Sequence, residues 1–202
     1  MNICIICWSH RNEWTYKVAN FVEARLNSKD ADISRINLSE LDLPLRSEQR
    51  WDKESDIAKN VLAPIREQLV NADAFVILSP ERSGMVAPGL KNFFLLASSK
   101  HEFAHKPALL IWVSSGTWWS YPIAELRMSS YKNTKLCYIP DHVIVRDIEN
   151  ILENHEMKEK STDYRIKSRI DRSLDHLIQY GTALQDMRKN TKIDLMQHEY
   201  GM

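Results

Sequence analysis

The chain has 202 residues and a balanced charge, with 27 Lys and Arg residues against 27 Asp and Glu residues. This length suits one domain with a sizeable core. The neutral balance and the lack of a basic run argue against a nucleic-acid-binding protein, and no apolar stretch approaches the roughly 20 residues that span a bilayer. Three cysteines give no disulfide framework, which favours a reduced, cytoplasmic setting. We therefore expect neither nucleic-acid nor membrane partners.

Apolar strands alternate with amphipathic helices through the first part of the chain. Residues 3–7 are apolar, which predicts a first strand rather than a signal peptide. Apolar residues recur at helical spacing over 14–26, which predicts a helix. Residues 31–38 partly alternate apolar with polar and predict an edge strand. Residues 55–70 predict a helix, which Pro64 is expected to kink or divide.

The same alternation continues to residue 140. Strands are predicted at 74–79, 107–113 and 136–139, the last ended by Pro140, with helices at 88–98 and 122–131. Largely hydrophobic strands that alternate with helices indicate a parallel sheet that is covered on both faces. We therefore expect an α/β, flavodoxin-like fold: a five-stranded parallel sheet in the order 2-1-3-4-5 with helices on both faces.

The pattern changes after residue 140. We interpret residues 1–202 as a single domain with its core at 1–145, a link and long helix at 146–190 and a tail at 191–202. The apolar face of the long helix either covers the sheet or pairs with another subunit. Its acidic residues, Asp171 and Asp175 among them, are expected to form a solvated face with pairs inside the helix.

The loop after the first strand has no glycine, so a dinucleotide fingerprint is absent. It offers instead Ser9, Arg11, Asn12 and Thr15 at the start of a helix. Hydroxyl groups, a guanidinium and free helix amides suit a single phosphate monoester. The alternative is that Ser9, Asn12 and Thr15 only cap the helix.

Two further loops follow buried strands, the position at which open α/β sheets bind ligands. The loop at 80–84 could supply backbone N–H groups, with Gly84 allowing close approach. Its Arg82 could stack on a ring, stabilise negative charge or point to solvent. The loop at 114–121 contains Trp118 and Trp119. These tryptophans could line a pocket, receive a stacked ring, fill the pocket or lie in a subunit interface.

Several of these segments, in this order, resemble the NADPH-dependent FMN reductase family over roughly residues 2–145. They are Ser9-His10-Arg11, Asp42-Leu43-Pro44, Pro80-Glu81-x-x-Gly84, Pro88-Gly89-Leu90-Lys91-Asn92, and Ser114 to Gly116. The resemblance implies an FMN-dependent NAD(P)H oxidoreductase. Hydride would pass from NADPH or NADH through FMN to a flavin, a quinone or a similar acceptor. It also implies a homodimer or homotetramer.

The resemblance assigns cofactor contacts but no catalytic side chain, because the flavin carries the redox chemistry. It places Ser9, Arg11 and Thr15 at the phosphate; the backbone of Pro80, Glu81, Arg82, Ser83 and Gly84 at the pyrimidine edge; and Ser114, Ser115 and Gly116 beside the ring. In this arrangement we expect the nicotinamide to stack near Trp118 and Trp119. The chain departs from the family at Trp8, at Arg82 and at Trp118-Trp119. These departures support an alternative: a flavodoxin-fold binding or regulatory module that has lost flavin.

Two other motifs carry no function in this interpretation. His101-Glu102-Phe103-Ala104-His105 spells a zinc-protease signature, but a proline follows closely and no third ligand is near, so we interpret it as accidental. Cys4 and Cys7 stand three apart in a strand and should face opposite sides of the sheet. We expect both to be buried structural residues.

Overall fold

A central sheet of parallel strands organises the molecule. The computed structural model describes residues 1–9, 13–47, 58–97, 102–116, 121–152 and 161–195. The strands are β1 (Asn2–Cys7), β2 (Asp32–Asn37), β3 (Ala74–Arg82), β4 (Met85–Val86), β5 (Pro107–Val113) and β6 (Cys137–Val145). Five of them pair in parallel in the order β2-β1-β3-β5-β6. This confirms the expected flavodoxin-like order. The short antiparallel β4, paired with β3, was not predicted.

Helices cover both faces of the sheet, as the sequence pattern predicts. They are α1 (Trp14–Asn27), α2 (Ala63–Asn71), α3 (Pro88–Ala97), α4 (Tyr121–Ser129), α5 (Tyr131–Thr134) and α6 (Thr162–Asn190). Helices α1 and α6 bury apolar residues on one face, and α2, α3 and α4 do so on the other. In the described part of the chain, no helix is long and apolar enough to cross a membrane.

The two cysteines of β1 lie on opposite faces of the sheet, as predicted. Cys7 packs in the core under α1 and α6, and Cys4 packs in the core under α2 and α3. Burial raises the pKa of the Cys4 thiol to about 12. A thiol that stays protonated is a poor nucleophile and a poor metal ligand, which agrees with a structural role.

Helix α6 covers the sheet, which decides between the two alternatives for its apolar face. Ile170, Leu174 and Leu177 are fully buried against β-strand residues. The expectation of pairs within the helix is wrong for two of its acidic residues: Asp171 binds Arg25 of α1 at 2.5 and 2.7 Å, and Asp175 binds Lys29 at 2.5 Å. These ion pairs fasten α6 to α1 and to the turn that follows α1.

Two prolines affect neighbouring elements differently. Pro64 lies in the first turn of α2, which directly follows a π-helix over Ala58–Leu62. The helix type therefore changes near the proline, as expected of a perturbed helix, but the helical stretch is not interrupted within residues 58–71. The prediction that Pro140 ends the last strand is wrong, because β6 continues to Val145. The register of β5 and β6 shifts between Ala108 and Leu110. A proline is tolerated at such an irregularity in an edge strand because no ladder N–H is needed there.

Candidate functional site

A cavity of about 720 Å³ opens where β3 and β5 end and α1 begins. This is the point at which the strand order reverses, and parallel α/β sheets bind ligands at this position. Its lining consists of Glu13, Trp14, Thr15, Pro80, Glu81, Arg82, Ser83, Val113, Ser114, Ser115 and Gly116. Eight of the residues proposed from the sequence therefore lie together around one cavity.

The segment after the buried part of β3 is a hairpin rather than the loop expected from the sequence. Strand β3 continues to Arg82, and Arg82 pairs with Met85 of β4. The two residues between them, Ser83 and Gly84, have φ angles of 52° and 78°. Positive φ at both central residues is the requirement of a type I′ turn, which explains the glycine. The turn therefore fixes the cavity wall that Glu81 and Arg82 form.

Glu125 of α4 anchors this hairpin from behind. Its carboxylate accepts hydrogen bonds from the Val86 backbone N–H at 3.1 Å and from Lys91 Nζ at 2.6 Å. Partial burial raises the pKa of Glu125, but these two hydrogen bonds more than offset that effect, so the pKa lies below its ordinary value. The ionised carboxylate thereby joins β4, α3 and α4.

A chain of hydrogen bonds orders the opposite wall. The Ser114 hydroxyl donates to the Glu81 carboxylate and accepts from the Gly116 backbone N–H at 3.1 Å. The Ser114 backbone N–H also donates to the Val145 carbonyl at 2.9 Å. The ends of β3, β5 and β6 are thus tied together beside the cavity.

An ion pair connects two sides of the cavity lining. Nη2 of Arg82, at the end of β3, lies 3.0 and 3.1 Å from the two carboxylate oxygens of Glu13 at the start of α1. The Arg82 side chain is 46% exposed and the Glu13 side chain 34% exposed. Arg82 therefore neither points freely into solvent nor lies buried in the cavity.

The start of α1 supplies polar groups to the cavity. The residue that caps α1 is Glu13, and no side-chain hydrogen bond caps the helix. Thr15 is 2% exposed and lines the cavity. Ser9 is fully buried and outside the described lining: Asn37 and Ser39 hold its backbone N–H and carbonyl at 2.6–3.2 Å. These contacts involve the backbone of Ser9, so the capping interpretation of its hydroxyl stays a prediction.

Trp8, one departure from the family pattern, lies against α3. The six-membered part of its indole covers Gly89, where an added Cβ would be 1.2 Å from the ring. Trp8 packs with the core under α2 and α3 and is not among the described residues that line the cavity. The glycine of α3 therefore makes room for the tryptophan without closing the cavity.

The other residues singled out in the sequence are either outside the described residues or at other places in the structure. Arg11, Trp118 and Trp119 are outside the described residues. Gly84 borders a second cavity of about 510 Å³, lined by Glu81, Ser83, Gly84 and Tyr121. Of the zinc-like motif, Glu102 is buried in an ion pair with Arg66 at 3.2 Å, and no cluster of three metal-ligating side chains occurs among the described residues.

The sequence-based assignment missed three lining residues: Glu13, Trp14 and Val113. Val113 ends a buried strand, and an apolar residue at that point of the sequence cannot be distinguished from any other core residue. Glu13 and Trp14 precede a predicted helix, and Trp14 is 41% exposed. A large aromatic at the start of a helix beside a polar loop was the available signal for a ligand wall.

Comparison with known proteins identifies the family. The family model for NADPH-dependent FMN reductase matches residues 1–149. No curated protein matches the chain in sequence. Among solved structures, FerB, a flavoenzyme NAD(P)H:(acceptor) oxidoreductase from Paracoccus denitrificans, is similar with a TM-score of 0.71 and 15% identity, over 90% of this chain and 97% of FerB.

Two other solved structures are similar. An oxidoreductase from Corynebacterium diphtheriae has a TM-score of 0.68 and 16% identity, over 90% of this chain and 97% of its own. The apo form of the NADH:FMN oxidoreductase EMOB has a TM-score of 0.62 and 17% identity, over 87% of each chain. At these identities the likeness shows the fold, whereas the family match covers most of the chain. The chain therefore belongs to the NADPH-dependent FMN reductase family and is an NAD(P)H-dependent oxidoreductase with FMN as its cofactor.

Proposed function

We propose that this protein transfers a hydride from NAD(P)H, through FMN bound in the 720 Å³ cavity, to a flavin, a quinone or a similar acceptor. The observation that carries the proposal is the position of this cavity at the switch point of a flavodoxin-like sheet, within the matched family region. Its volume lies in the ordinary range for cofactor sites.

The start of α1 fits a phosphate monoester. Within the described part of the chain, the hydroxyl of Thr15 has no hydrogen-bond partner although the residue is 2% exposed and lines the cavity. The first amides of a helix have no intrahelical acceptor, and the helix dipole favours an anion there. We assign the FMN phosphate to Thr15 and the first amides of α1, with Arg11 and Ser9 as further candidates from the adjoining loop.

The isoalloxazine ring is assigned to the part of the cavity between the hairpin at 80–84 and the turn at 114–116. Bound FMN supplies the hydride-accepting and hydride-donating ring, so the chain needs no acid–base residue of its own. The chain contributes rigid walls: the Glu81–Ser114–Gly116 hydrogen bonds hold one wall, and the Glu125 carboxylate holds the hairpin. Trp118 belongs to this proposal as a partner for the nicotinamide.

We also propose that the protein is a cytoplasmic homodimer or homotetramer. Met85 on the hairpin is 59% exposed, and Tyr121 and Met128 on α4 are 62% and 75% exposed. Large apolar side chains close together on a surface are typical of subunit contacts. The free cysteines Cys4, Cys7 and Cys137 support the cytoplasmic location.

The cofactor site is tested by comparing FMN with riboflavin, which lacks the phosphate. Thr15→Val keeps the shape of the side chain and removes its hydroxyl. We expect this variant to weaken FMN binding about tenfold, because a hydrogen bond to a charged group is lost. Riboflavin binding should change little. Quenching of flavin fluorescence measures both affinities.

The matched control is Thr182→Val on α6. The Thr182 hydroxyl donates within its own helix, to the Ile178 carbonyl at 3.2 Å, and it is exposed to solvent. This variant should bind both flavins like the wild type. Wild-type protein that binds neither flavin would overturn the proposed function. Equal weakening of FMN and riboflavin by Thr15→Val would overturn the phosphate assignment alone.

A further inference from the structure

The ion pair between Arg82 and Glu13 lines the cavity and is partly exposed to solvent, so an incoming group can exchange with it. Both side chains line the cavity, and both remain substantially exposed, 46% for Arg82 and 34% for Glu13. Exposed ion pairs contribute little to stability. An incoming anion can therefore replace the Glu13 carboxylate on Arg82 at small cost.

The guanidinium of Arg82 keeps donors for a second partner. Of the guanidinium nitrogens, Nη2 is the one that donates to Glu13, at 3.0 and 3.1 Å from the two carboxylate oxygens. Within the described part of the chain, no hydrogen bond involves Nε or Nη1 of Arg82. An arginine fork binds phosphate, sulfonate or carboxylate groups through two parallel hydrogen bonds. Arg82 therefore has the geometry of an anion receptor.

The backbone fixes this receptor at the edge of the cavity. Arg82 is the last residue of β3, directly before the Ser83-Gly84 turn, and it pairs with Met85 of β4. The Glu125 carboxylate holds β4 through the Val86 N–H. The cofactor phosphate is assigned to Thr15 and the first amides of α1, so these groups are occupied once FMN is bound. We therefore assign the group that exchanges on Arg82 to the molecule that binds next.

We propose that Arg82 leaves Glu13 to bind an anionic group of the redox partner that enters after FMN is bound, and that Glu13 is the resident anion with which this group competes. The inference rests on the proposed function and names its substrate class: a redox partner that carries a phosphate, sulfonate or carboxylate. Such a group can come from the 2′-phosphate of NADPH or from an anionic acceptor.

The test uses two matched ligand pairs that differ by one anionic group. NADPH and NADH differ by the 2′-phosphate, and 1,4-naphthoquinone-2-sulfonate and 1,4-naphthoquinone differ by the sulfonate. KM values of the FMN-loaded protein are measured for all four, and calorimetry gives the dissociation constants of NADP⁺ and NAD⁺. The ionic strength is held constant because exposed charges are screened by salt.

Arg82→Gln and Glu13→Gln should act in opposite directions. Arg82→Gln should raise the KM and dissociation constant of the anionic member of a pair about tenfold, with little effect on the other member. Glu13→Gln should lower the same constants several-fold, because the competing carboxylate is gone. An effect on the nucleotide pair identifies the 2′-phosphate as the anion, and an effect on the quinone pair identifies the acceptor.

A bracing role for the ion pair predicts a different result. Both variants would then shift the KM values of both members of each ligand pair in the same direction. That outcome overturns the inference, and so does the absence of a shift in either ligand pair. The controls are Lys29→Gln and Asp175→Asn, which remove equivalent charges from an ion pair between the turn after α1 and α6. They should leave all four ligands unaffected, which separates a local contact from a change in net charge.

The calorimetric measurement separates this inference from the proposed reaction. Opposite shifts in NADP⁺ affinity without any FMN-dependent turnover would leave the anion receptor standing while the proposed reaction failed. Normal turnover with parallel shifts in the two variants would overturn the anion receptor and leave the proposed reaction standing.

Discussion

Side chains around the cavity differ in how firmly the fold holds them. Ser114 is 4% exposed and is bonded through its hydroxyl to Glu81 and Gly116, whereas the Arg82–Glu13 pair is half exposed. Fixed groups suit the binding of a cofactor, and exchangeable groups suit the entry and exit of a substrate. This contrast at single residues underlies the assignment of the firmly held residues to FMN and of the Arg82–Glu13 pair to the redox partner that binds after it.

Lys106, outside the cavity, gives a prediction for stability. Its ammonium donates to the carbonyls of Leu69 and Val70 at 2.7 and 2.8 Å, where α2 ends, and the residue is 8% exposed. Burial, with a smaller effect from the charge of Arg188, lowers the pKa of Lys106 to about 8 from an ordinary 10.5. Between these two pH values the unfolded chain binds more protons at this position than the folded chain.

The free energy of unfolding contributed by Lys106 should therefore rise as the pH increases from 8 to 10.5. Lys106→Met lacks this titration, so the wild type should gain up to about 3 kcal/mol relative to the variant over that range. Urea unfolding of both proteins at a series of pH values measures the difference. A difference that stays constant from pH 8 to 10.5 would contradict the prediction.

Among the elements, the β3–β4 hairpin depends most clearly on a particular residue type at one position. Gly84 has a φ of 78°, and an added Cβ would meet nothing within 4 Å. Gly84→Ala should therefore lower the free energy of unfolding by about 1–2 kcal/mol through backbone strain alone. The matched variant Ser83→Gly removes a side chain from the other positive-φ position and should destabilise less, or not at all. Urea unfolding measures both. A Gly84→Ala protein as stable as the wild type would contradict the turn assignment.

Most elements could be predicted from the sequence, and the failures have physical reasons. The buried strands and α1 follow strong apolar patterns that determine their type. Strand β4 has two residues, which are too few to show an alternation of apolar and polar residues. The sequence pattern therefore predicts a loop where the structure has a hairpin. Pro140 was expected to end β6 because proline cannot donate to a ladder. That rule fails here because the strand is at an edge and its register shifts.

In the whole molecule, the region beyond the family match completes the core. The match ends at residue 149, and α6 begins at Thr162. Ile170, Leu174 and Leu177 are fully buried with residues of β1, β3 and β5. Without α6, one face of the sheet would lose much of its cover, so this helix belongs to the structural unit that carries the cavity.

The candidate site could be predicted in outline because the ends of neighbouring parallel strands must meet. Residues 80–83 and 114–116 were brought together by that rule. The contact between Glu13 and Arg82 could not be predicted, because it joins residues 69 positions apart and depends on the hairpin register. The burial of Ser9 depends likewise on Asn37 and Ser39 of a different segment.

The most direct measurement is an anaerobic spectroscopic titration of the FMN-loaded protein with NADPH, followed by a quinone. A flavin-dependent oxidoreductase should lose the visible absorbance band of oxidised FMN with about one equivalent of NADPH, since a hydride carries two electrons and FMN accepts two. Addition of the quinone should restore the band. Bound FMN whose spectrum does not change with excess NADPH, or reduced FMN that no quinone or flavin reoxidises, would contradict the proposed reaction.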